Sequence, residues 1–141
     1  MPVRFVALLI CLWAGSFASL AAEDAVTSAQ KIIADQIQAL KKGDSATAYS
    51  FASPAIRSLF PSDGRFLAMV RQRYAPLANP GFYAFGRSKS VGGGELVLQE
   101  VIVTSQNAKD WSAIYEMRLQ DDGSYKVNGV RVLEKTASTG I

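Results

Sequence analysis

The chain contains no histidine. That absence excludes Ser-His-Asp and Cys-His nucleophile arrangements and every histidine-ligated zinc site. A general acid or base here must be Asp, Glu, Tyr or Lys. Cysteine occurs once, as Cys11, so no disulfide can form within the chain. A strong charge of either sign is also missing. The 15 Lys and Arg against 12 Asp and Glu leave +3, and the longest basic run is Lys41-Lys42. This pattern is too weak and too scattered for a nucleic-acid partner. No carboxylate cluster has metal-site spacing, so no metal is expected. Gly92-Gly93-Gly94 is not followed by Lys-Ser/Thr or a helix. It reads as a flexible hairpin connection rather than a phosphate cradle, and no cofactor is expected.

Of what is present, residues 1–22 read as a secretory signal peptide. Arg4 and the α-amino group supply its positive end, and Phe5 to Trp13 is an unbroken apolar run. Ser19-Leu20-Ala21 satisfies the small-x-small rule, which places cleavage before Ala22, with cleavage after Ala22 as the alternative. Cys11 follows Ile10 rather than a small residue, so it reads as an apolar member of this run and not as a lipidation site. The segment is near the lower limit for spanning a bilayer and is broken by small residues, so no stable membrane insertion is expected after cleavage. The expected location is the periplasm or the exterior. The remaining chain has 14 basic and 12 acidic residues, no cysteine, and must be stabilised by packing alone.

The first half has a helical period. Val26, Ala29, Ile33, Ile37 and Leu40 form one stripe over residues 24–42, closed by Lys41-Lys42 and Gly43. Asp44 caps a short helix running to Phe51. Ser53-Pro54 opens another over Ala55 to Phe60, and Ser62 or Asp63 opens a third main helix carrying Phe66, Met69, Val70 and Tyr74. Pro76 and Asn79-Pro80-Gly81 mark the exit from the helices.

From Phe82 the period becomes two. Strands are expected over Phe82–Lys89, Glu95–Ser105, from Trp111 to Gln120, and from Tyr125 to Glu134. Val101-Ile102-Val103 is apolar on both faces, which suggests a central strand covered on both sides. Asp121-Asp122-Gly123 supplies the last turn. In the fourth strand the apolar set jumps from Tyr125 and Val127 to Val130 and Val132. A β-bulge at Asn128-Gly129 would restore one apolar face. The alternative is that Val130 and Val132 face a second apolar layer such as a partner subunit. Helices followed by strands give one α+β domain over residues 23–136, with helices packed on a curved four-stranded antiparallel sheet, and a disordered tail, 137–141.

The segments Ala52-Ser53-Pro54-Ala55-Ile56-Arg57, Arg65-Phe66-Leu67-Ala68-Met69-Val70-Arg71 and Tyr74-Ala75-Pro76 resemble a bacterial family, domain-of-unknown-function family 4864. The ending W-x-A-I-Y-E-x-x-L-x-x-D-G-x-Y-x-V-N-G is similar to the last hairpin of the wider nuclear-transport-factor-2-like (SnoaL-like, cystatin-like) superfamily. The resemblance implies an α+β cone with a pocket and a bacterial envelope setting. It does not imply an activity. Many members of the superfamily use His and Asp pairs, which this chain cannot supply.

Candidate site residues follow from chemistry. Arg57 and Arg71 could clamp a carboxylate at the pocket mouth, since guanidinium binds carboxylates bidentately, or pair with acids on the surface. Tyr49, Tyr74, Tyr83 and Tyr115 could offer hydroxyls to a ligand or fill the core. Trp111 and Tyr115 would form the floor of the cone. Glu100 stands among apolar strand residues and is the candidate catalytic acid, because burial would raise its pKa. The favoured expectation is a non-catalytic module that binds a small apolar or carboxylate-bearing ligand. The alternative is a small cofactor-independent isomerase, cyclase or hydratase using Glu100 and a tyrosine. A homodimer through the sheet is compatible with either. The signal reading predicts a mature N-terminus at Ala22 or Glu23. Intact-mass analysis of protein exported from a bacterial host checks it, and a retained Met1–Ala21 segment would refute it.

Overall fold

The computed structural model describes residues 16–134, with side chains from residue 21. Most of the expected signal peptide and the whole expected tail lie outside the described residues. Among those residues, five helices precede four strands: α1 (Ser16–Lys42), α2 (Ser45–Ser50), α3 (Pro54–Leu59), α4 (Asp63–Arg73), α5 (Ala75–Ala78), β1 (Phe82–Val91), β2 (Leu96–Thr104), β3 (Asp110–Leu119) and β4 (Tyr125–Glu134). The α+β architecture expected from the change of period is present.

The helix boundaries follow the capping chemistry. Gly43, at φ +70°, ends α1. Asp44 accepts from Thr47 N at 3.2 Å, Ser53 from Ile56 N at 3.3 Å, and Ser62 from Arg65 N at 3.2 Å. Two boundaries differ from expectation. Helix α1 already includes Ser16 and does not begin near residue 24, because no breaker intervenes and the alanines there favour a helix. Pro76 does not end the helical region. It sits in the first turn of the four-residue α5, where a missing amide costs nothing.

The sheet is an antiparallel meander in the order β1-β2-β3-β4. Val97, Val101, Val103, Ala113, Tyr115 and Met117 point to the inner face and pack against Ala25, Ala29, Ile33 and Ile37 of α1. The expected bulge in β4 is present. Glu116 opposes Gly129 and Met117 opposes Val127, so Asn128 is the extra residue. Val127, Val130 and Val132 thereby share the inner face.

A second bulge, not expected from the sequence pattern, lies at Gly86, a glycine inside a strand. Phe85 opposes Val101 and Ser88 opposes Gln99, leaving Gly86-Arg87 opposite Glu100. Gln99, 0% exposed, holds this bulge from inside. Its Nε2 lies 2.7 Å from Glu100 O and 3.3 Å from both Gly86 O and Arg87 O, while its Oε1 accepts from Gln30 Nε2 at 3.0 Å. A buried amide is tolerable because it is fully partnered. A Cβ at Gly86 would lie 2.3 Å from Glu100 Oε1, so a larger residue there would have to displace that carboxylate.

The strand carrying Val101-Ile102-Val103 is central, as expected, but it is not covered on both sides. Val101 and Val103 are buried on the inner face, whereas Ile102 is half-buried on an outer face that no described element covers. Neighbouring side chains on the outer face, such as Glu100 and Ser112, provide partial shielding instead of a second layer.

Besides the packing of α1 on the sheet, a backbone junction ties the helical half to β4. Val127 N donates to Phe51 O and Ser53 N donates to Val127 O, each at 2.8 Å. Ala52 thus forms a parallel bridge with Val127 on the edge strand. Ser53 Oγ also donates to Asn128 Oδ1 at 2.8 Å, and Ser53 is 2% exposed. One serine therefore caps α3 and ties it to the bulge. Ser53→Ala is expected to lower stability by about 1–3 kcal/mol, since both a cap and a buried polar partner are lost. Ser58→Ala, on the exposed side of the same helix, should stay within about 0.5 kcal/mol. Urea denaturation of both variants checks this contrast.

Candidate functional site

Two cores form in this chain. One lies between α1 and the sheet. The other gathers Ala39, Leu40, Ala48, Ala52, Phe66, Leu67, Val70 and Ala78, where the end of α1 meets α2, α4 and α5. Helix α4 packs chiefly on α2 and α5 rather than on the sheet. Tyr74 touches both cores. A cavity of ≈ 270 Å³ lies in the seam between them. That is near the lower end of small-molecule pockets, roughly 300–1,000 Å³.

Its walls come from both cores. Leu40, Phe66, Met69 and Val70 face it from the helices, and Tyr115, Val127, Gly129 and Val130 from the sheet. Ala52 and Ile56, beside the bridge, close one side. Leu59, 69% exposed, and Arg73, also exposed, mark where it opens. The polar groups are few. Gln36 is buried on α1 and donates from Nε2 to Ala48 O at 3.1 Å, which leaves Oε1 as an acceptor. Tyr74, Tyr115 and Arg73 complete the polar set, and no carboxylate lines the cavity. Such a space accepts an apolar body and an anionic end, and offers no general base of ordinary strength.

The sequence-predicted residues divide among three places. Tyr74 and Tyr115 line this cavity together. Tyr115 is 1% exposed, and burial pushes its hydroxyl well above the usual tyrosine range, with Tyr83 adding to the effect. Arg57 and Tyr49 do not line it. The Arg57 guanidinium carbon lies 5.5 Å from the centre of the Tyr49 ring, a cation–π contact. The Tyr49 hydroxyl lies 2.7 Å from Phe60 O and 3.0 Å from Arg57 O, and so secures the C-terminal end of α3. Arg71 lines a separate hollow with Lys41 and Asn79, beside the end of α1. Its guanidinium there suits the negative end of that helix.

Trp111 borders a neighbouring groove of ≈ 660 Å³ with Val132, Gln106 and Lys109. Its indole N–H is buried without an acceptor among the described residues. Such a group costs on the order of 1–3 kcal/mol. Glu100 lies on the outer face of the sheet, away from the cavity. Its Oε1 accepts from Arg87 N at 3.3 Å, and its Oε2 accepts from Ser112 Oγ at 3.1 Å. Arg87 Nε stands 3.8 Å from the same carboxylate.

Sequence reading missed Arg73, Gln36, Ile56 and Met69 as cavity residues. The available signal was that Arg73 follows the stripe residues Phe66, Met69 and Val70 by three to seven positions, which puts it on or beside their face. Nothing in the local sequence marks Gln36, since a buried amide on a helix looks like any polar surface residue.

The helices-on-meander fold and the seam cavity define an α+β protein with an apolar ligand-sized space and a single cation at its opening. The chain belongs to the family described as Domain of unknown function (DUF4864), whose profile matches residues 22–140. No curated protein matches it.

The buried Tyr115 hydroxyl has a pH consequence. Its pKa is raised in the folded state, so its contribution is fully present below the unfolded value near 10 and is lost as pH rises past it. Stability should therefore fall between about pH 8 and about pH 11, and Tyr115→Phe should flatten part of that fall. Urea midpoints at the two pH values test this. An equal fall in both proteins would mean that Tyr115 is not the group responsible.

Proposed function

We propose that this protein is a periplasmic or secreted, non-catalytic binding module that holds a small apolar or carboxylate-bearing ligand in the seam cavity. One observation carries the reading. The cavity joins an apolar wall to one cation, Arg73, and has no acid or thiol among its lining residues. Apolar lining favours burial of a hydrocarbon or aromatic body at about 25 cal/mol per Å². The guanidinium favours an anionic end near the mouth. The N-terminal segment, with its apolar run and small-residue cleavage site, supports export.

A place in the nuclear-transport-factor-2-like superfamily is part of the same proposal. Helices followed by a four-stranded meander with a bulged edge strand support it. A catalytic role would have to work without Glu100, which stands across the sheet from the cavity.

Anilinonaphthalene sulfonate joins an apolar body to an anion and serves as the probe. It should bind with enhanced fluorescence. Val130→Phe, which fills the cavity from β4, should weaken binding at least about tenfold, as loss of the apolar contact implies. Native mass spectrometry should show an added mass in the exported protein and not in the filled variant. Equal probe binding by both proteins, with no added mass in either, would sink the proposal.

A further inference from the structure

The groove beside the cavity gives the ligand a more definite shape. The cavity and the groove are neighbours along β4. Val127 and Val130 belong to the first and Val132 to the second, on the same inner face. Two residues of strand span about 7 Å, so the two spaces follow one another within the length of a small molecule. Arg73 lines both. The walls change character at that residue. Behind it the lining is almost wholly apolar. Beyond it stand Lys109, Gln72, Asn79, Gln106 and the ring of Trp111.

The groove has two cations and no carboxylate among its lining residues. Glu134 Oε1 lies 3.9 Å from Lys109 Nζ. That contact is long and both side chains are largely exposed, so it holds Lys109 weakly. The ring of Trp111 lines the same groove, and its buried indole N–H has no acceptor among the described residues. Donors and positive charge therefore converge on one side of Arg73, and apolar surface on the other.

We infer that the ligand is a single-chain amphiphile, whose tail fills the seam cavity and whose anionic head lies in the groove between Arg73 and Lys109. This rests on the binding function proposed above and goes further in fixing the head group and its place. The cavity of ≈ 270 Å³ equals about nine times the ~30 Å³ share of one water in the liquid, which suits a short chain rather than a two-chain lipid. Carboxylate and phosphate heads share the required chemistry. The guanidinium of Arg73 can grip either bidentately, and the ammonium of Lys109 adds a second, mobile charge.

The test is calorimetric titration of the purified protein with decanoate, decyl phosphate and decanol, which share a tail and differ in the head. Decanoate or decyl phosphate should bind about tenfold or more tightly than decanol, as two converging cations imply, and the stronger of the two identifies the head. Lys109→Gln should remove several-fold of that preference by weakening the anions more than decanol, and Glu134→Gln, which releases Lys109, should increase it. Added salt should erode the preference, because exposed charges are screened over about 10 Å at 0.1 M. Equal binding of decanol and the anions, unchanged in Lys109→Gln, would overturn the head-group assignment while leaving an apolar ligand in the cavity. Failure of all three to bind would overturn the assignment together with the binding function on which it rests.

Discussion

The structure depends on the bridge between Ala52 and Val127. Two backbone hydrogen bonds of 2.8 Å and the Ser53 hydroxyl bond to Asn128 join the helical half to the edge strand. The bridge also meets a need of β4. An edge strand presents unpaired backbone groups, and Phe51 and Ser53 satisfy both groups of Val127. The bulge at Asn128 is what turns that residue's side chain toward the serine. A cap, a bulge and a strand edge are therefore parts of one junction. Loss of any part loosens the others, because neighbouring polar partners in one network do not act additively.

The cavity is a consequence of the same junction. Helix α3 is held against β4 at Ser53, while α4 packs on α2 and α5. The helical layer therefore meets the sheet at α1, at α5 and at the bridge, while α4 stands away from it. Phe66 and Val70 complete the second core from that position, and their outer sides become a cavity wall. Two small cores with a seam cost burial that one larger core would have gained. The space that results is apolar and opens at Leu59 and Arg73.

The sheet shows how buried polar residues hold irregular backbone. Gln99 occupies an inner, core position yet is fully partnered by Gln30 and the bulge carbonyls of β1. Opposite it, Glu100 fills the space left by Gly86 and accepts from Arg87 N and Ser112 Oγ. These neighbouring residues in β2 thus brace the β1 bulge from both faces. Gly94 has a similar part at the other end of that hairpin. It holds φ +97°, its carbonyl accepts from the buried Tyr125 hydroxyl, and a Cβ would crowd Tyr125 and Ala25.

Much of the fold was legible in the residues themselves. Period and punctuation located α2 to α4 and all four strands, because caps, prolines and glycines act over three or four residues. The β4 bulge was legible because a slip of one residue moves every apolar side chain to the other face. The β1 bulge was not, because Gly86-Arg87 disturbs no apolar alternation and is held by Gln99 from another strand. Tyr74 and Tyr115 were legible as inward aromatics, but their meeting at one cavity was not. Arg57 and Arg71 carry the chemistry of an anion clamp, yet only the packing of α3 and α4 decides which arginine reaches the opening, and it is Arg73. The sequence by itself determined the elements, the order of helices before strands and the exclusion of histidine chemistry, since these follow from residue identity and short-range periodicity. The tertiary structure alone decided where the two cores fail to merge, because that gap depends on contacts between residues some 75 positions apart, such as Ser53 and Asn128.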